Sequence, residues 1–118
     1  MKKNEAIDLI NKLVKKNMVT NYNTSFANVN KSKPVWWLNI NPDKFNYDLF
    51  LLLVKRNHLY VFHIPSKKIL NPTTKFRLKG KLLDIEIGTN LGYDHFRDVK
   101  SGGTKFNFKP YLIEKVEF

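Results

Sequence analysis

The run that decides the fold is VWWLNINPDKFNYDLFLLLVKRNHLYVFHIP, residues 35–65, in which three apolar bursts alternate with two polar interruptions. In residues 35–40 strand alternation sets Trp36, Leu38 and Ile40 on one face and Val35, Trp37 and Asn39 on the other. One Trp is therefore core and its neighbour is less enclosed. Asn41-Pro42-Asp43 reads as a cap followed by Pro at a first helical position, giving a short helical turn through Phe45. Residues 48–55 and 59–64 are apolar on both faces, as strands buried on two sides are. The polar Lys55-Arg56-Asn57-His58 turn, with Asn57 suited to a left-handed conformation, joins them as an antiparallel hairpin.

Working outward, residues 4–17 carry Ala6, Leu9, Ile10 and Leu13 at helical spacing. Asn4 is the expected N-cap, with Glu5 and Asp8 in the first turn and Lys15-Lys16 in the last, matching the helix dipole. Residues 20–34 are polar and Asn-rich and end in Pro34, so Phe26 and Val29 belong to a short edge strand or anchor a loop. Ser66 is positioned to cap a brief helix to Leu70, and Asn71-Pro72 marks a turn. Residues 76–79 and 83–87 alternate as strands, the second with Asp84 and Glu86 opposite Leu83, Ile85 and Ile87. Residues 88–104 hold four of the five glycines, and Gly102-Gly103 signals a hairpin into Phe106 and Phe108. The expectation is one α+β domain over residues 1–118, its N-terminal helix packed on a largely antiparallel sheet of about five or six strands.

A chain of 118 residues at 42% hydrophobic and 14% aromatic composition has enough ring surface to fold despite a net charge of +11. With no Cys there is no disulfide framework, Cys-ligated zinc or thiol nucleophile. Glu5, Asp8 and Asn11 interrupt any signal-peptide core, and no apolar run is long enough to span a bilayer. A cytoplasmic protein with no membrane partner is expected. The charge is uneven: residues 9–83 carry 14 Lys/Arg against Asp43 and Asp48 alone, whereas residues 84–118 carry five against six acids. Such asymmetry points to an anionic partner on one side, most often nucleic acid; DNA is the expected one, although charge alone does not separate it from RNA. An A/T-biased coding sequence would also enrich Lys and Asn, but it should enrich Glu as well, and Glu occurs only four times.

Basic positions interleaved with aromatics are the clearest functional signal. Lys31, Lys33, Lys67, Lys68, Arg77 and Lys79 are candidate phosphate contacts, and an exposed Trp37 would stack on an unpaired base. His58, His63 and His95 have no metal-ligand spacing, so no metal site is expected. Catalytic candidates are Asp84, Glu86, Asp98 and Lys100: the two carboxylates at i and i+2 share a strand face, and Asp98-Val99-Lys100 follows fourteen residues after Asp84. Phosphodiester hydrolysis needs converging carboxylates, a cation and a nearby Lys, so Mg2+ is the only cofactor in prospect and only on this reading. The competing reading makes Asp84 and Glu86 the solvated face of an amphipathic strand.

A Trp-rich strand, a short segment with Phe45, a Leu-rich strand and a closing Ile-Pro make residues 36–65 resemble part of restriction-endonuclease-like proteins of the PD-(D/E)XK type. The likeness covers about a quarter of the chain and implies a restriction-endonuclease-like fold with nucleic acid as its ligand. In that family an acid-x-Lys strand should precede the Trp strand, yet residues 20–34 contain no Asp or Glu, so no catalytic residue carries over. Three functions follow as expectations: a nucleic-acid-binding domain of this type, a divalent-metal nuclease, or a protein-interaction module without enzymatic activity.

Overall fold

The N-terminal helix α1 spans Lys3–Val14, starting one residue earlier and ending three residues earlier than the sequence suggests. Glu5 reaches back to accept the Lys2 backbone N–H at 2.8 Å, so the cap lies at Lys2 rather than Asn4. Lys15 takes a left-handed conformation, and the Asn11 side chain bonds both backbone groups of Val19, which turns the chain back early. This computed structural model describes all residues, Met1–Phe118.

Seven strands follow: β1 (Thr24–Asn28), β2 (Val35–Ile40), β3 (Leu49–Lys55), β4 (His58–Ile64), β5 (Arg77–Lys79), β6 (Leu82–Gly88) and β7 (Leu112–Glu117). They form two sheets, β1-β3-β4-β7 and β2-β6-β5, rather than the single sheet of five or six strands that was expected. Only β1 and β3 pair in parallel, so the fold is α+β and mostly antiparallel. The reason for two sheets lies in the patterning. β2 and β6 are apolar on one face only, so they can cover a second sheet but cannot be covered twice.

β3 and β4 are the covered layer. Leu49, Leu51, Leu53, Phe62 and Ile64 face Trp36, Leu38, Ile40, Leu83, Ile85 and Ile87 of the smaller sheet. On the other side Phe50, Leu52, Val54, Leu59 and Val61 pack with Ala6 and Ile10 of α1. The helix thus lies on the sheet as the sequence predicts, although Leu13, assigned to its apolar face, extends past the covered area and is exposed. Trp36 is fully buried between the sheets and donates its Nε1–H to the Val54 carbonyl at 2.9 Å. That bond ties the two layers together.

Local departures have local causes. The β3–β4 turn places Arg56, not Asn57, at positive φ. Asn41 caps a 3-10 turn, Pro42–Asn46, as expected, whereas Ser66 starts no helix. Its hydroxyl bonds the Asn46 carbonyl, and the helical turn forms later as α2 (Pro72–Lys75), with Pro72 in its first turn. The Gly102-Gly103 hairpin is short and irregular, held by Asp98 N–H to Phe106 and Phe108 N–H to Phe96. Phe106 and Phe108 stack around Phe76 and close that end of the core. No helix is long and apolar enough to cross a membrane.

Candidate functional site

The outer face of the three-stranded sheet collects the chemistry. Alternation that buries Trp36, Leu38, Leu83 and Ile85 turns Trp37, Asp84 and Glu86 outward, and the β5–β6 register sets Arg77 opposite Asp84. β5 is only three residues long, so the remainder of β6 has a free side. The chain returns to occupy it: Gly88 N–H bonds Arg97, and Val99 N–H bonds Glu86 at 2.7 Å. This return brings Lys100 over the two acids.

The resulting cluster is tightly connected. Trp37 Nε1 donates to Asp84 Oδ1 at 2.7 Å, across the diagonal of the strand pair. Asp84 Oδ2 faces Arg77 Nη1 at 3.5 Å and Lys100 Nζ at 3.6 Å. Glu86 Oε2 faces both Lys100 and Lys33 at 3.4 Å. Asp84 is only 2% exposed, so the solvated-face reading of Asp84 and Glu86 is overturned. Strand periodicity could not foresee this, because residues from beyond Arg97 supply the cover.

Asp98 does different work. Its Oδ1 accepts the backbone N–H groups of Glu86 and Lys100, pinning the return segment to β6. Its Oδ2 is buried without a partner, next to Gly103, where a Cβ would come within 2.6 Å. Burial pushes the Asp98 carboxyl above its ordinary range; the two N–H bonds oppose this, and the Glu86 and Asp84 charges add to it. A folded-state pKa above the unfolded one favours the protonated form in the native protein. That contribution is complete below the unfolded pKa and is lost as pH rises through the folded one. Asp98→Asn keeps the acceptor and never ionises, so its stability relative to the parent should improve as pH is raised from about 3 to about 7. Urea unfolding across that range tests this, and parallel profiles for parent and variant would refute it.

A divalent cation between Asp84 and Glu86 would have to displace the Lys100 ammonium, which stands 3.6 Å from the first and 3.4 Å from the second. No group of three or more His, Asp or Glu side chains is placed so that it could hold a metal ion. Asp98 commits its Oδ1 to two backbone N–H groups, and its Oδ2 is turned to Gly103.

Of the basic candidates, Lys33 and Arg77 join this cluster. Lys79, two residues beyond Arg77 on β5, is exposed, as is Lys31 in the turn before β2. Lys67 and Lys68 are elsewhere, in the turn after β4 where the Lys67 N–H bonds the Phe45 carbonyl. Sequence reasoning missed a groove of about 430 Å3 beside Glu86, lined by Lys33, Val99, Asp94 and Tyr93. An aromatic within the Gly-rich stretch was its one visible signal. Comparison with protein-family models, curated proteins and solved structures finds no match to the chain.

Proposed function

We propose that the chain is a nucleic-acid-binding domain of restriction-endonuclease-like character, taking its ligand, DNA first, on the outer face of β2-β6-β5. The observation that supports it is the gathering of Lys33, Trp37 and Arg77, three positions picked from sequence, on that one face. Trp37 is 48% exposed while its indole is fixed by Asp84, which makes it a preorganised stacking platform. The Lys33 and Arg77 pairs are long and partly exposed, so they hold their carboxylates weakly and remain open to phosphate. The family character draws on residues 36–65, whose quoted features fall on β2, the Pro42–Asn46 turn, β3 and β4.

Fluorescence anisotropy with short single-stranded and duplex oligonucleotides over a salt series tests the reading. Log affinity should fall linearly with log salt, by about 0.7 per phosphate contact for a single strand and about 0.9 for a duplex. Trp37→Ala should weaken single-strand binding about tenfold, the scale of one lost base stack. No binding at low salt, or a flat salt plot, overturns the proposal. The enzymatic alternative, a divalent-metal nuclease using Asp84, Glu86, Asp98 and Lys100, is disfavoured by the donor set. Cleavage with magnesium that Asp84→Ala abolishes would reinstate it. A protein partner retained at high salt without nucleic acid would favour the interaction-module reading instead.

A further inference from the structure

A second concentration of charge lies around the loop that carries His95. Here a pocket of about 420 Å3 is lined by Tyr93, His95, Arg97, Asn107 and Lys109, with no acid among its lining residues. Arg97 spends two donors on the carbonyls of Tyr93 and Lys105 and lies over the Tyr93 ring at 4.3 Å, leaving the rest of its guanidinium unpaired. Lys109 Nζ, Asn107 Nδ2 and the His95 ring nitrogens make no hydrogen bond within the protein, and neither Arg97 nor Lys109 has a carboxylate within ion-pair distance. Phe96, between two of the lining residues, is held at φ +63 with its ring in the core. A non-glycine residue in that conformation is retained where the surroundings over-determine it, and such residues gather at functional sites.

The neighbouring elements add to the same sign. Burial, and then the charges of Lys55, Lys109 and Lys115, disfavour the imidazolium of His95. Lys55 comes from the end of β3, where its Nζ bonds the Thr89 carbonyl, and Lys115 from β7, where it lies over the Tyr60 ring. On the same sheet face His58 of β4 is opposite Glu117 of β7, whose carboxylate is engaged by Asn57. Asp94, beside His95 in the chain, is paired with Lys105. Cations from four separate segments thus line the pocket or act on His95, while Asp94 and Glu117 have partners of their own.

We propose that the pocket between residues 91–97 and the Asn107–Lys109 segment binds a phosphate group, held by Arg97, Lys109, His95 and the Asn107 amide. A charge-assisted, multi-donor arrangement of this kind suits a tetrahedral oxyanion. The phosphate would come either from a nucleic-acid backbone or from a free phosphorylated molecule. Tyr93 and Leu91 line both this pocket and the groove beside Glu86, so a strand on the sheet face has a path to it. The site does not depend on the face proposed above.

The test follows the His95 ring by NMR in the full chain during titration with inorganic phosphate, and then adds a short single-stranded oligonucleotide. Saturable shifts are expected, with the His95 pKa rising as phosphate binds, because an anion relieves the repulsion from Lys55, Lys109 and Lys115. Lys109→Ala and Lys115→Ala, both exposed positions, should weaken phosphate binding, the first about tenfold. Lys12→Ala on α1 should leave it unchanged. Displacement of phosphate by the oligonucleotide identifies a nucleic-acid backbone as the source; binding without displacement identifies a free phosphorylated ligand. Non-saturating shifts, or equal affinity in parent and Lys109→Ala, overturn the site. Failure of the sheet-face proposal is read separately, from oligonucleotide affinity in Trp37→Ala.

Discussion

Trp36→Ala should lower the unfolding free energy by about 3–5 kcal/mol, a large share of the roughly 5–15 kcal/mol available to a domain of this size. Trp36 is fully buried, meets Tyr60 edge-on at 5.7 Å and stacks on Phe96 at 5.9 Å. Truncation empties the space between the two sheets and strips the Val54 carbonyl of its only side-chain donor. Trp36→Phe separates these terms. Much of the volume returns while the indole donor to the Val54 carbonyl stays missing, so about 1–3 kcal/mol of the loss should persist. Trp37→Ala, on the opposite face and half exposed, should lose about 1 kcal/mol or less. Urea unfolding of the three variants measures the contrast, and equal losses at positions 36 and 37 would contradict the assignment of faces.

That contrast between adjacent tryptophans was legible from alternation alone, as were the β3–β4 hairpin and the cap and Pro of the 3-10 turn. Each is written within a few consecutive residues. The division into two sheets was not legible, because whether β2 and β6 extend the β3–β4 sheet or cover it depends on pairing between segments some fifty residues apart. Burial of Asp84 was hidden for a related reason. The cover arrives with Lys100, and nothing in the period of residues 83–87 encodes it. Asp98 was chosen as a possible catalytic acid, yet its carboxylate holds two backbone amides. An acid-x-Lys triplet does not reveal which way its acid turns. The His95 pocket was least visible of all, since Lys55, Arg97, Lys109 and Lys115 form no cluster in sequence and the last third of the chain is charge-balanced overall.

Asp84→Ala carries the second large effect, and it separates two physical accounts of the sheet face. Asp84 is nearly enclosed and serves Trp37, Arg77 and Lys100 together. Removing one partner from a fully enclosed pair costs about 3–5 kcal/mol, mainly through the charge left behind. Arg77 and Trp37 can rewet here and Lys100 keeps Glu86, so about 2–3 kcal/mol is the expected loss. Lys100→Met in the Asp84→Ala background should cost less than the sum of the single changes, with a coupling energy of about 1 kcal/mol or more in a double-mutant cycle. For the ligand, simple charge counting makes deletion of an acid favourable to phosphate binding, because it raises the local positive potential. The geometry makes the opposite demand. Without Asp84 the Trp37 indole loses the hydrogen bond that fixes its ring, and the base would have to order the platform on binding. Single-strand affinity measured on folded protein should therefore fall in Asp84→Ala despite the extra positive charge, and Asp84→Asn, which keeps an acceptor for the indole, should retain more of it. A rise in affinity in both variants would mean that the acids merely oppose the ligand and that Trp37 acts without them.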